Sequence, residues 1–471
     1  MKKILCLKSV CLICFLLVFH NGFAQADSSL LSFNVFAEYV LNNHPLARQA
    51  ALKDDFAAAE WMAARGHFDP VLSSGWNDKF FDDKHYYRLF SNQLNIPLRY
   101  GIEIEGTYEN TEGVYLNPEH KTDENGLWSL GVKANLLQGL LIDERRAGLQ
   151  KAEFFQKIAE NQKASLLNDL LFQASQAYLL WQKDYFTREV IREGIDLAVV
   201  YFEATRTSYL NGEKTAIDTL EARMILQDRE AQLQANEVLL VKSKQQLEQY
   251  LWMDGLPGEL PLLTSPESQE ENVFVPEDSQ TMADLVNVHP LLLEKQNKKA
   301  YYEVEQRLKK DKLKPKLKVK YNPLLGTSGQ GITPVFSAAN FKWGIDFSMP
   351  LFFRSERAGL QQSRLKIQEV EYDILDKRNV LENKIKASLN QQQILLQQLQ
   401  LQQKNIDGYL TLLEAEYEKN LFGESSVFLI NKRQEKYLES RIKLIELNMK
   451  YKMEQLNYLY LSNRLLYVIL N

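Results

Sequence analysis

The side chains that could do chemistry are few and scattered. Beyond His20 near the start, His44, His67, His85, His120 and His289 show no metal-ligand spacing. There is no GxSxG elbow, no HExxH helix and no phosphate-binding glycine loop. Cys6, Cys11 and Cys14 all fall near the start, and the eight methionines form no cluster suited to a soft metal. The expectation is therefore no catalytic residue, no cofactor and no metal. Any function must rest on how the chain is built, so the elements come next.

The first residues, "MKKILCLKSVCLICFLLVFHNGFAQ", have a positive start, an apolar run and a small residue at Ala24. That is the pattern of a cleaved secretory signal over residues 1–24. Cys14 sits in the middle of the apolar run rather than after it, which argues against a lipoprotein signal. All three cysteines leave with the segment, so an exported chain would owe nothing to disulfides. The formal net charge is -5, and losing Lys2, Lys3 and Lys8 makes it more negative, which speaks against a nucleic-acid surface. No later stretch of about 20 apolar residues suggests a membrane helix. Such a chain can still cross a membrane as a closed β-barrel.

The pentapeptide RAGLQ occurs twice, at Arg146 to Gln150 and at Arg357 to Gln361, an offset of 211. Leu210, Gly212 and Glu213 in "YLNGEKTAID" have counterparts Leu421, Gly423 and Glu424 in "NLFGESSVFL" at the same offset of 211. Upstream, His44-Pro45-Leu46 and His289-Pro290-Leu291 are 245 apart, as are Pro70 and Pro315, so 34 extra residues lie in the first copy. The chain reads as a tandem duplication: a first repeat over 25–255, a turn-rich linker over 256–277 and a second repeat over 278–471. Each repeat opens with a helix that restarts at its His-Pro pair, so the histidines read as helix-start residues.

Strand periodicity follows, over about 71–137 in the first repeat and about 315–350 in the second. In "NFKWGIDFSMP", Phe341, Trp343, Ile345, Phe347 and Met349 alternate with Lys342, Gly344, Asp346 and Ser348. "LWSLGVKANL" and "PKLKVKY" alternate in the same way. Alternation alone fits either a half-buried soluble sheet or a barrel with an apolar face toward lipid. Helical hairpins are expected next, over about 140–255 and about 355–471. The proline-free run from Leu140 to Tyr209 would span roughly 105 Å. Leu167, Leu171, Ala174, Tyr178, Trp181 and Tyr185 repeat at four-three spacing, a seam for helices packed side by side. The glutamine-rich "QQQILLQQLQLQQK" keeps a leucine stripe and reads as helix rather than disorder.

Short helix, strands, then a very long hairpin, twice over: in this order the chain resembles the TolC-like outer-membrane channel family. The resemblance rests on "LLQGLLIDERRAGLQKAE" and "MPLFFRSERAGLQQSRLK" at the strand-to-helix junctions, and on "YLNGEKTAIDTLEA" and "NLFGESSVFLINKR" at the turns. It implies a mixed α/β membrane protein. A transmembrane β-barrel shared by three chains would continue into a long α-helical periplasmic tunnel. It also implies a homotrimer in outer-membrane lipid, a periplasmic adaptor protein and an inner-membrane transporter as partners, and efflux of small molecules. A type I secretion duct is the alternative. The expected periplasmic tips hold Leu210, Gly212, Glu213 and Asp218 in one repeat and Leu421, Gly423 and Glu424 in the other. Asp218, Glu213 and Glu424 would make an acidic entrance, although Leu429 stands where the second repeat would match Asp218. Arg146, Gly148, Arg357 and Gly359 are expected at the strand-to-helix junctions. The first repeat has four strand-like stretches, so three chains could give 18 strands, but the resemblance implies 12, which is the expectation. An enzyme lacks supporting motifs, an adaptor would have one hairpin rather than two, and a filament would not explain the alternating strands.

Overall fold

The computed structural model describes residues 30–261, 263–268, 281–327 and 334–470. The expected leader lies outside them, as does part of the expected linker. The order begins β1 (Leu30–Leu31), α1 (Phe33–Asn43), α2 (Pro45–Gly66), β2 (Val71–Phe81), β3 (Lys84–Pro97), β4 (Ile102–Glu112) and β5 (Leu127–Asn135). It continues with α3 (Glu144–Leu210), α4 (Ala216–Glu248), β6 (Trp252–Met253), β7 (Leu256–Pro257) and β8 (Ser265–Pro266). The remainder is α5 (Met282–Asn287), α6 (Pro290–Asp311), β9 (Lys316–Thr327), β10 (Pro334–Ser348), α7 (Arg354–Leu421), α8 (Val427–Leu461) and α9 (Leu465–Leu470). Corresponding helices have matching lengths: α2 and α6 both have 22 residues, α3 has 67 and α7 has 68.

The chain divides into two compact units. One contains Gln49–Leu166 and Gln280–Asn383, and its centre is a six-stranded sheet in the order β10-β9-β5-β4-β3-β2. Every neighbouring pair is antiparallel. The 34-residue difference is thus spent on strand: the first repeat supplies four strands and the second two, all in one sheet. Four strands per chain, as 12 in a trimer would require, is not what this chain has. The cause is local. Alternation persists through "NIPLRYGIEIEGTYE", and Tyr100 and Gly101 both take positive φ, 67° and 70°, which lets β3 reverse into β4. A Cβ on Gly101 would lie 2.6 Å from the Gly139 carbonyl oxygen, so only glycine fits there. Beside the sheet, Ile142, Ala147 and Val304 form a small buried cluster with Phe154 and Leu308 against it.

The other unit holds the chain up to Arg48, Leu167–Ser279 and Lys384–Asn471. Its packing follows the heptad seam: Leu171, Ala174, Tyr178 and Trp181 are all nearly or wholly buried. Phe33 and Phe36 of α1 pack on the Tyr178 ring, with centroids 5.4 and 5.6 Å away. The Tyr178 hydroxyl donates to Leu31 O at 2.7 Å. The glutamine tract is helical within α7, and Gln402 donates to the Ser440 carbonyl at 2.9 Å on α8. The long last helix expected from the sequence is interrupted: α8 stops at Leu461, Asn463 takes φ 54°, and α9 follows. The described part of the linker is not a plain connector. Its β7 pairs antiparallel with β6 at the end of the first repeat, and its β8 pairs parallel with β1.

Candidate functional site

The sheet has two chemically distinct faces, because opposed residues in register lie on the same side. On one face, Trp343, Tyr321, Val132 and Ile104 fall in a row across β10, β9, β5 and β4. Ile345, Val319, Ala134 and Ile102 form the next row. The apolar face continues through Ile96 and Leu94 of β3 to Leu72 of β2. It is uncovered: Trp343 is 63% exposed, Phe347 61% and Leu130 58%. A contiguous exposed apolar surface of this kind marks an interaction face. The opposite face is polar and cross-linked. Lys133 pairs with Glu105 at 2.7 Å, Lys320 with Asp346 at 2.7 Å, and the Thr107 and Ser129 hydroxyls meet at 2.5 Å. β2 and β10 are the two edges.

The strand-to-helix junction of the first repeat is built around Arg146. Its guanidinium donates to the carbonyls of Leu140 and Leu141 at 3.0 Å each, and to that of Gly139 at 2.5 Å. It also pairs with Asp143 at 3.2 Å, while Asp143 caps α3 by accepting the Arg146 N–H at 2.8 Å. Arg357 stands at the matching place but makes no side-chain hydrogen bond among the described residues, because Arg354 replaces Asp143 and the bend uses Phe353 at φ 48° instead. A Cβ on Gly148 would meet nothing within 4 Å, and one on Gly359 would sit 3.4 Å from Lys309. An open cleft of about 890 Å³ lies here, bordered by Asn135, Gln138, Arg145, Lys312, Lys316 and Lys318, among others. Asp311 closes its floor by accepting the Gly139 N–H at 2.6 Å.

The two tips share one backbone solution. Gly212 and Gly423 sit at φ 78° and 76°, and the next N–H reaches back over the turn, Glu213 to Ser208 O and Glu424 to Lys419 O, both at 2.9 Å. This is a Schellman stop, which needs a left-handed residue. Leu210, Leu421 and Phe422 are 74, 83 and 81% exposed there. The returning helices start differently. Thr215 and Asp218 form a reciprocal capping box on α4. The cap's hydrogen bonds hold the Asp218 carboxyl below its usual range. On α8, Ser426 caps alone, since Leu429 occupies the third position. Its polar counterpart was not foreseen from the sequence: Glu416 accepts the Ser425 hydroxyl at 2.5 Å and lies 3.5 Å from Arg433. At an offset of 211, Glu416 and Arg433 correspond to Thr205 and Ala222, so the charged pair is a paired difference between the two tips that the sequence itself carries.

His44 and His289 do the same work in the two repeats. Each ring Nδ1 accepts the N–H two residues on, Leu46 at 3.1 Å and Leu291 at 3.2 Å, capping the helix that begins at the following proline. Among the described residues no group of acidic, histidine or cysteine side chains could hold a metal, and no helix is long and apolar enough to cross a membrane.

No protein-family model matches the chain, and no curated protein does. Solved structures do. The Campylobacter jejuni CmeC outer membrane channel is 12% identical with a TM-score of 0.63, over 92% of this chain and 85% of that one. CusC, described in terms of transmembrane channel formation, is 14% identical with a TM-score of 0.66, over 94 and 95%. The Vibrio cholerae outer membrane protein VceC is 13% identical with a TM-score of 0.62, over 92 and 96%. Across nearly its whole length, this chain has the fold of the TolC-like outer-membrane channels.

Proposed function

We propose that three copies of this chain form an outer-membrane channel that serves as the exit duct of a tripartite efflux system for small molecules. The observation that carries this reading is the two-faced six-stranded sheet with an exposed apolar side and two open edges. In hydrocarbon an open strand edge is not tolerated, so the edges must meet other copies. β2 and β10 run in opposite directions after an even number of strands, so β10 of one copy can continue antiparallel into β2 of the next. Three six-stranded sheets then close an 18-stranded barrel, and barrels of that size enclose a water-filled channel. The long hairpins would extend into the periplasm, with the tips at Gly212 and Gly423 meeting an adaptor protein and an inner-membrane transporter. Glu213, Asp218 and Glu424 are placed by this reading at the entrance.

Fractionation with native mass measurement tests it. The expected result is a trimer recovered with the outer membrane, whose particles seen by electron microscopy have 18 strands in the barrel wall. Recovery as a soluble periplasmic monomer would overturn the channel reading. A 12-strand wall would overturn the edge assignment. Loss of the chain should also raise small-molecule retention; loss of secreted polypeptide alone would reassign the duct to protein secretion.

A further inference from the structure

The polar face of the sheet is unevenly charged. β5, β9 and β10 place Lys133, Lys316, Lys318, Lys320 and Lys342 on it, against a single carboxylate from those strands, Asp346. β4 answers with Glu103, Glu105 and Glu109. Most carboxylates are already engaged. Asp346 pairs with Lys320 and Glu105 with Lys133, while Glu103 is held at 2.8 Å by Arg145 of α3. Among the described residues Lys316, Lys318 and Lys342 hold no ion pair, and all three are exposed. Glu109, also without an ion pair, lies at the far end of β4 from α3, beside the loop leading to β5. Lys316 and Lys318 sit at the opposite end, beside a cleft that also holds Lys312, Arg145 and the carboxylates of Asp143, Glu144, Asp311 and Glu356. Lys312 itself is neutralised by Glu144 at 2.5 Å.

Resting on the channel reading above, we propose that these lysines form a cationic ridge along the barrel lumen, which favours anions in that segment, against the carboxylates the same reading puts at the entrance, and suits the barrel to small organic anions. Three copies repeat the ridge around one wall. Lysine lining a pore with low-dielectric walls raises the local concentration of anions without any binding pocket. The strength is limited by geometry. Screening acts over about 8 Å at physiological salt and about 30 Å at 0.01 M. A wide barrel is therefore selective at low salt and loses the preference as salt rises.

Reversal potentials of the purified trimer in a planar bilayer test this. At low salt, chloride should be favoured over potassium by about threefold, and the preference should fall toward parity near 1 M, where the screening length shortens to about 3 Å. The combined variant Lys316→Glu, Lys318→Glu, Lys342→Glu should reverse the preference. The milder Lys316→Gln, Lys318→Gln, Lys342→Gln set should abolish it, which keeps the test open if the charge-reversed protein does not assemble. A conducting trimer with unchanged reversal potential in the glutamine variant would overturn the ridge while leaving the channel intact. A folded protein that never conducts would instead overturn the channel reading on which the ridge depends.

Discussion

The carboxylate of Asp311 accepts the backbone N–H of Gly139 at 2.6 Å, joining the end of α6 to the junction above α3 across 172 residues of chain. Asp311 is only 5% exposed, and its other oxygen takes Lys314 at 2.5 Å. A hydrogen bond to a charged acceptor contributes about 1.5–3 kcal/mol, and its loss would strand the buried Gly139 N–H. Asp311→Ala should therefore lower unfolding stability by about 2 kcal/mol, read from denaturant midpoints of the detergent-solubilised protein. A change below about 0.5 kcal/mol would show that water replaces the carboxylate without loss.

Arg146 and Arg357 stand at equivalent positions of the repeat and should respond differently to mutation. Arg146 satisfies three junction carbonyls and pairs with Asp143, whereas Arg357 makes no side-chain hydrogen bond among the described residues. Arg146→Ala should cost about 1–3 kcal/mol and Arg357→Ala within about 0.5 kcal/mol. Equal costs at the two sites would mean that the identical pentapeptide, rather than its surroundings, sets the contribution.

At the first tip, the Thr215 N–H and hydroxyl both donate to the Asp218 carboxylate, at 2.7 and 2.8 Å, and the Thr215 hydroxyl oxygen accepts the Asp218 N–H at 3.3 Å. If the carboxylate acts through this cap, Thr215→Ala and Asp218→Ala should speed amide exchange in the first turn of α4 to the same extent. Hydrogen exchange followed by mass spectrometry measures that. Conductance altered by Asp218→Ala but not by Thr215→Ala would give the carboxylate a part in the entrance beyond capping.

Periodicity carried much of the local architecture. The four-three seam through Leu171, Ala174, Tyr178 and Trp181 is buried in the structure, and the alternation in β5, β9 and β10 is strand. The number of strands in the sheet was less legible, because periodicity marks which stretches are strands but not which of them pair. Long-range polar contacts left no local trace. Nothing near Asp311 in sequence points to Gly139, and Glu416 looks like one more exposed helix residue until Ser425 and Arg433 are brought beside it. The linker's short strands have no local signature, because pairing of β8 with β1 depends on a partner some 230 residues away.

The half-buried ring of His289 gives the fold an acid-sensitive cap. Burial lowers its pKa from 6.5 to about 4, and the neutral ring accepts the Leu291 N–H. The folded state then binds fewer protons than the unfolded state between those values, so stability falls as pH drops from 6.5 toward 4 and levels off below. His44, also lowered by burial, adds to the trend in the other repeat. His289→Asn keeps a capping acceptor without a titrating ring. The variant should match the parent near pH 7 and show a shallower fall in melting temperature down to pH 4.5. An unchanged slope would place the acid sensitivity elsewhere.

Lys452 supplies the alkaline counterpart. It is 5% exposed on α8, its Nζ has no hydrogen-bond partner among the described residues, and burial lowers its pKa from 10.5 to about 8. The Glu267 carboxylate opposes that shift without cancelling it. Below pH 8 the ammonium is charged in both states, so the folded protein bears the whole cost of burying it, about 3 kcal/mol by the gap between the two values. Between pH 8 and 10.5 the folded state releases its proton first, and stability rises with pH. Lys452→Met fills the same space without a charge. It should raise the melting temperature at pH 7 and remove the alkaline rise attributable to this lysine, as long as Glu267 remains solvated or paired. A double variant with Glu267→Gln separates the two contributions: if Lys452→Met destabilises alone but not alongside Glu267→Gln, the charge pair outweighs the burial cost and the expected sign is wrong.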